Sequence, residues 1–256
     1  MGTLSLESLV SAAAFIGVRV GGVMLFAPFF SAESIPAQVK LALTVALTAL
    51  LYPVCPLPAS GGNAVAWVGV VSAELVTGLG LGLAVQFVLE AAQMAGQVLG
   101  VQAGYSLVTL LDPQTQADTP VMATFQQLLA VVIFLQLNVH HWLLRGLAAS
   151  FSYLPAGGVW TSLRAPSTLL RAAGGIWLAG VQMAAPVVVA TLLVDVTLGF
   201  LAKASPQMPV LFLGLPIKTL LALTVLAGTL WLWPGTLEQH FAAGISLGEQ
   251  LLHLAH

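Results

Sequence analysis

Charge is what this sequence has least of: lysine, arginine, aspartate and glutamate make up 6% of its 256 residues, whereas soluble domains carry roughly a quarter. A chain that is 59% hydrophobic, with a mean hydropathy of +1.00, has too little polar surface to coat a water-soluble globule. Its seven basic residues are scattered against nine acidic ones, which excludes the basic stripe that tracks a phosphate backbone, so neither DNA nor RNA is a partner. Cysteine is nearly absent. Cys55 stands alone between Pro53 and Pro56, so no intrachain disulfide or thiolate metal cluster can form and the residue reads as a small buried apolar group. The N-terminus MGTLSLESLV lacks a basic n-region, and Leu6 stands where a myristoylation motif wants Ser or Thr. The mature chain is therefore expected to begin near Met1.

Long apolar runs are present instead, far longer than the roughly 9–11 residues of a barrel strand and without alternating polarity, which points to an all-α polytopic membrane protein. Leu9 to Phe30 is long enough to span a bilayer, but Arg19 interrupts it near its middle. An uncompensated arginine there costs about 2.5–3.5 kcal/mol, so Arg19 must face protein, water or a carboxylate. Lys40 to Leu51, closed by Pro53, Pro56 and Pro58, is short for a span. Val65 opens a third segment with Glu74 and the run Gly78, Gly80, Gly82. Without a preceding strand or a following GKS, that run is no phosphate cradle; Gly78 and Gly82 form a small-xxx-small pair suited to close helix packing.

The next segment carries Gln86, Glu90, Gln93 and Gln97 at steps of four, three and four, a polar stripe on one helical face. Such a stripe serves either as interhelical hydrogen-bonding groups or as the lining of an aqueous passage. Beside it, Gly96, Gly100 and Gly104 recur at steps of four and offer a close-contact face. Then follows YSLVTLLDPQTQADTP, a polar connection in which Asp112 and Pro113 end any helix and Pro120 can start the next. Val121 to Leu144 is a further long apolar helix, ending at His140, His141, Trp142 and Arg145, residues suited to a membrane interface. The adjacent histidines lack metal-ligand spacing. Leu169 to Leu201 is too long for one straight span and contains Pro186 and Asp195, so a kinked helix or a hairpin is expected. Asp195 reads as a buried carboxylate whose cation is Lys203, Arg19 or Lys218. The tail from Pro234 to His256 reads as a weak amphipathic helix. Arg145, Arg164 and Arg171 lean that connection toward the cytoplasm without fixing the orientation.

No nucleophile elbow, metal motif or cofactor fingerprint occurs, so no enzyme, metal site or cofactor is expected. Composition and spacing leave two classes, a secondary transporter with a midplane site or a structural subunit of a larger membrane complex.

Three blocks narrow this. RVGGVMLFAPFFSAESIPAQVKLAL from Arg19, GQVLGVQAGYSLVTLLDP to Pro113 and DVTLGFLAKASPQMPVLFLGLPIK from Asp195 resemble, in order, the FliR family of flagellar type III export-gate proteins. The related injectisome export subunits are the alternative, and the PFFS and IP pairing and the DP loop resemble the flagellar members more. The resemblance implies one copy of this chain assembled with FliP and FliQ subunits and other export-gate components. Together they would form a closed helical pore in the bacterial inner membrane, at the flagellar basal body, with unfolded flagellar proteins as cargo and membrane lipids around it. It further implies a FliP-like part joined to a FliQ-like part, with much of the apolar chain packed on other subunits above the bilayer plane and the short second and overlong Leu169 segments folded as bent helical hairpins.

By the same resemblance the chain is a single membrane-embedded domain over 1–256, with a pore-plug loop at 105–120 and a C-terminal tail at 234–256. Tyr105, Ser106, Leu107, Val108, Thr109, Leu110, Leu111, Asp112 and Pro113 fall in the plug, with Ser106, Asp112 and Pro113 matching its motif, and Asp195, Gln207 and Lys218 match the later block together with Pro206. Arg19, Asp195, Lys203, Gln207 and Lys218 are thus the candidates for buried charge or assembly. Lys203 stands where the family usually has arginine, keeping charge but losing the bidentate fork, and Pro209 stands where asparagine is usual.

Overall fold

In water a chain this apolar would collapse without a unique partner; in helices its backbone satisfies itself and its side chains can face lipid or protein. The computed structural model describes residues 6–28, 30, 35–55, 64–105, 121–158, 165–205, 207 and 210–253. Those residues form the helices α1 (Leu6–Phe26), α2 (Ala37–Leu51), α3 (Ala64–Gln102), α4 (Val121–Gln136), α5 (Val139–Tyr153), α6 (Ala165–Ala204), α7 (Val210–Thr229) and α8 (Trp233–His253), with 3-10 turns at Tyr52–Val54 and Leu230–Leu232. Among the described residues four helical stretches are long and apolar enough to cross a membrane, at Leu9–Phe26, Trp67–Gln102, Trp177–Ala204 and Gly214–Ser246. The bent pair α4 and α5 supplies a fifth if it counts as one span. The protein is a polytopic helical membrane protein.

The chain divides into two compact units, one of residues 1–88, 138–174 and 241–256, the other of residues 89–137 and 175–240. In the first, α1 and α2 form an antiparallel hairpin: a Cβ placed at Gly17 meets Thr48 and one at Gly21 meets Thr44. The threonine hydroxyls bond back to Lys40 O and Thr44 O, at 2.8 and 2.7 Å, so they bring no unsatisfied donor to the seam. On its other side α1 runs parallel to α3, with Gly22 against Leu75 and Gly78, and Gly82 against Val23 and Ala27. Phe15, Ile16, Val20, Val23, Val85, Leu147 and Phe151 fill the core between these helices and α5.

The second unit is lean at its centre. The later part of α3 buries Ala91, Ala92, Ala95 and Leu99, and small residues allow backbones to approach where lipid gives no hydrophobic drive between helices. Gly180 of α6 sits beside Ala91 and Met94, and α6 and α7 run antiparallel, with Leu198 at Gly214 and Asp195 at Lys218. The two spans here are buried over only 17% and 11% of their length, against 50% and 56% for Leu9–Phe26 and Trp67–Gln102. Among the described residues their apolar outer faces have little cover.

Three expectations from the sequence change. The segments separated at Gly82 and Gln86 are one 39-residue helix, α3, because the low propensity of its glycines is offset where Gly78 and Gly82 pack on α1. Of the two forms expected for the Leu169 run the hairpin is excluded; α6 is one 40-residue helix through Pro186. One lost hydrogen bond, about 3 kcal/mol, is less than leaving several backbone groups bare in an apolar setting would cost. Conversely, the single helix expected from Val121 to Leu144 breaks at Asn138, whose φ of 55° is left-handed, a conformation asparagine tolerates better than its apolar neighbours. At 1.5 Å per residue α3 and α6 each reach about 60 Å, roughly twice a bilayer's hydrocarbon core.

Candidate functional site: a buried ion pair and a glycine-capped connection

Arg19 is completely buried in the first unit, and its partner is Glu74 of α3 rather than Asp195. The guanidinium Nε donates to Glu74 Oε2 at 2.5 Å, Nη1 to Ser150 Oγ at 3.0 Å and Nη2 to the Leu154 carbonyl at 2.9 Å. Its plane lies over the Phe151 ring, 4.1 Å from the centroid. Glu74, also fully buried, accepts a second bond at Oε1 from the Gly157 N–H at 2.9 Å. Gly157 has a φ of 88°, a conformation that a side chain there would oppose. One charge pair thus ties α1, α3, the end of α5 and the turn after it. Each guanidinium nitrogen and each carboxylate oxygen is engaged, so the pair acts as a structural clamp.

Glu74, Ser150, Phe151 and Gly157 were not among the residues singled out from the sequence. Glu74 carried a usable signal, being an acid inside an apolar segment; the other three carried none, since a serine and a carbonyl become ligands only when folding brings them to Arg19. Cys55, just past α2, is half-buried, and its thiol is pushed up by burial, with the Arg19 guanidinium pulling the other way and Glu74 adding to the rise.

The three glycines near the end of α3 do different things. Gly96 lies against the backbone of Met122 and Ala123, where a Cβ would overlap the Met122 carbonyl; Gly100 has ordinary contact with the Met122 side chain. Gly104 is not a packing residue but a stop. Its φ of 85° lets Tyr105 N–H reach Gly100 O at 3.0 Å and Gly104 N–H reach Val101 O at 3.1 Å, the pair of bonds that closes a Schellman motif. The Ala103 carbonyl is capped in turn by Thr219 Oγ1 of α7 at 2.7 Å. Tyr105 is the last residue before the connection and is exposed; Ser106, Leu107, Val108, Thr109, Leu110, Leu111, Asp112 and Pro113 lie outside the described residues. On α3, Gln86, Glu90 and Gln93 are half-buried and Gln97 is exposed.

Of the residues expected as buried charge, only Arg19 is buried within this chain. Asp195 is exposed, its Oδ2 accepting from Lys218 Nζ at 2.8 Å with the side chains 45% and 17% accessible, and Lys203 and Gln207 are exposed as well. The reason is geometric: α6 and α7 lie together as a hairpin, and this pair sits on its outer edge instead of under a third helix. In α4, one turn beyond the Gly96 contact, Gln126 is fully buried with neither amide atom hydrogen-bonded. Such an amide costs about 1–3 kcal/mol and gains nothing inside this chain. Among the described residues no group of three or more His, Cys, Asp or Glu side chains could hold a metal ion.

Residues 10–244 match the model of bacterial export proteins, family 1. The flagellar biosynthetic protein FliR of Escherichia coli is 32% identical over 213 residues, 82% of this chain and 80% of that protein. This chain belongs to the FliR family. The FliR protein of Pectobacterium carotovorum is 31% identical over 235 residues, 92% of this chain and 90% of its own, and that of Bacillus subtilis 28% over 217 residues, 84% of each. FliR-family proteins are export components, not enzymes, and the match extends across both compact units.

Proposed function

We propose that this chain is a subunit of the flagellar type III export gate in the bacterial inner membrane, closed by its own 105–120 connection. FliP and FliQ are its partners, one copy of this chain per gate, and unfolded flagellar proteins are the cargo. The observation that carries this reading, beyond family membership, is the uncovered apolar length of the spans Trp177–Ala204 in α6 and Gly214–Ser246 from α7 into α8, buried over only 17% and 11%. At about 60 Å, the 40-residue α6 cannot lie wholly within a hydrocarbon core of roughly 30 Å unless strongly tilted, so part of that surface needs protein neighbours. An α6–α7 hairpin as a FliQ-like part, joined to a FliP-like part built on the Arg19 clamp, supplies such neighbours. The polar stripe Gln86, Glu90, Gln93 and Gln97 then faces a partner or the lumen.

Gly104 supports the plug role. It stops α3 directly before the 105–120 connection, and the Thr219 bond fixes that end of the helix. Removing Thr109 to Thr119 is expected to leave assembly intact and to make cells leak ions, because a plug contributes closure more than stability. Conductance measured in planar bilayers or by membrane-potential dyes checks this; a deletion that conducts no more than the parent rules the plug role out.

Asp195 and Lys218 act in assembly. Asn at 195 is expected to lower the yield of complex without touching the fold of the chain, since a half-exposed pair contributes only about 0–1 kcal/mol to its own helix hairpin. Full complex yield with export lost would instead assign Asp195 to a proton step.

A further inference from the structure

We propose that the trough between α2 and α5 is a binding site for one anionic phospholipid, its acyl chain in the trough and its phosphate on Arg145 and His141. The trough holds a cavity of about 390 Å³, in the size range of pockets that enclose a ligand's apolar part. Leu47, Leu50 and Leu51, at steps of three and one on α2, form one wall, and Leu144 on α5 faces them. His141 and Arg145 are one helical turn apart on the same face of α5 and make the polar rim. No carboxylate lines the cavity.

Three observations choose the occupant. α2 is a 15-residue helix with no buried residue, and Val39, Leu41, Val45 and Leu50 are more than half exposed on it. A helix so apolar and so short lies along protein and lipid instead of crossing the bilayer. The polar side chains His141 and Arg145 both come from α5 and the wall from α2 is all leucine, so the trough joins an apolar surface to a basic one, as a phospholipid joins acyl chain to phosphate. Arg145 is exposed and makes no ion pair among the described residues. Its planar fork matches two phosphate oxygens, and a choline or ethanolamine group would bring a cation toward it. Trp142, half-buried on the next position, belongs to the interfacial residue types that mark headgroup depth. An anionic headgroup such as glycerol phosphate therefore fits better than a zwitterionic one.

The test is native mass spectrometry of the full chain purified in detergent, delipidated and then offered equimolar dioleoyl phosphatidylglycerol and dioleoyl phosphatidylcholine. The wild type is expected to retain one phosphatidylglycerol, preferred by about tenfold, the scale of one charge-assisted contact. Arg145→Gln is expected to remove that preference and Arg145→Lys to keep part of it. Ala148→Phe, which fills the trough from the α5 side, is expected to lower retention of both lipids, and does not depend on how Arg145→Gln behaves. Equal retention of the two lipids by the wild type, or unchanged selectivity in Arg145→Gln, overturns the proposal. So does a photo-crosslinker at Leu50 that captures a protein partner in membranes instead of lipid.

Discussion

Replacing Glu74 by glutamine is expected to destabilise the first unit by about 3–5 kcal/mol, the cost of leaving a buried charge without its counter-ion. Glutamine keeps the shape and can still accept from Gly157, but its NH2 then faces the Arg19 Nε–H, so the loss combines the missing charge with a donor set against a donor. Arg19 would be left with a serine hydroxyl and one carbonyl. It has no water to turn to, because its side chain is completely enclosed. Removing both members, Arg19→Met with Glu74→Leu, is expected to recover most of that loss, since apolar pairs of similar volume often match or exceed a buried ion pair. Thermal unfolding of the detergent-solubilised chain reads the difference. Cys55 offers a second reading: its thiol is raised by burial, so alkylation by a maleimide is slow in the wild type and faster in Glu74→Gln if the clamp opens. An unchanged melting temperature and alkylation rate in the single variant would show that the pair holds nothing together.

The second large effect is steric. A Cβ on Gly78 would fall on the carbonyl of Arg19 and within 3.1 Å of Gly22 Cα, both backbone atoms that cannot swing away. Gly78→Val must therefore push α1 off α3, stretching the Arg19 to Glu74 contact four residues away on α3. Overpacking typically costs about 1–3 kcal/mol and more when backbone must move; the clamp puts this case at the upper end. Gly69 on the same helix is the internal control, because nothing lies within 4 Å of its Cβ position. Gly69→Ala is expected to be neutral or to stabilise by up to about 1 kcal/mol through helix propensity. Equal responses at the two positions, by melting temperature or by expression in membranes, would contradict the close approach.

How much of this could be read from the residues alone differs by element. Arg19 was legible as a residue that needed a partner, because an arginine inside an apolar run is costly wherever it lies. Its partner was not, since residues 19, 74 and 150–157 meet only once three helices pack. Gly78 and Gly82 announced a close approach by their spacing, whereas Gly104, spaced like Gly96 and Gly100, differs from them only in its φ. Spacing cannot distinguish a packing glycine from a left-handed cap. The run that forms α6 left a kinked helix and a hairpin open, because Pro186 is a strong break in water and a weak one in a helix that has nowhere else to place its backbone. Asp195 was expected to be buried from hydropathy alone, and hydropathy does not say that a helix will stand at an edge. The plug assignment came from the FliR resemblance, and the helix stop at Gly104 gives it a physical starting point.

All of these features serve one arrangement, a subunit that completes its surface with other chains. The decisive measurement is affinity purification of this chain from membranes in which FliP and FliQ are co-expressed, followed by mass determination of the intact complex. A single stable species holding one copy of this chain with several FliP and FliQ subunits is the expected result. A chain that purifies alone as a monomer, and moves a small solute in liposomes, would contradict it.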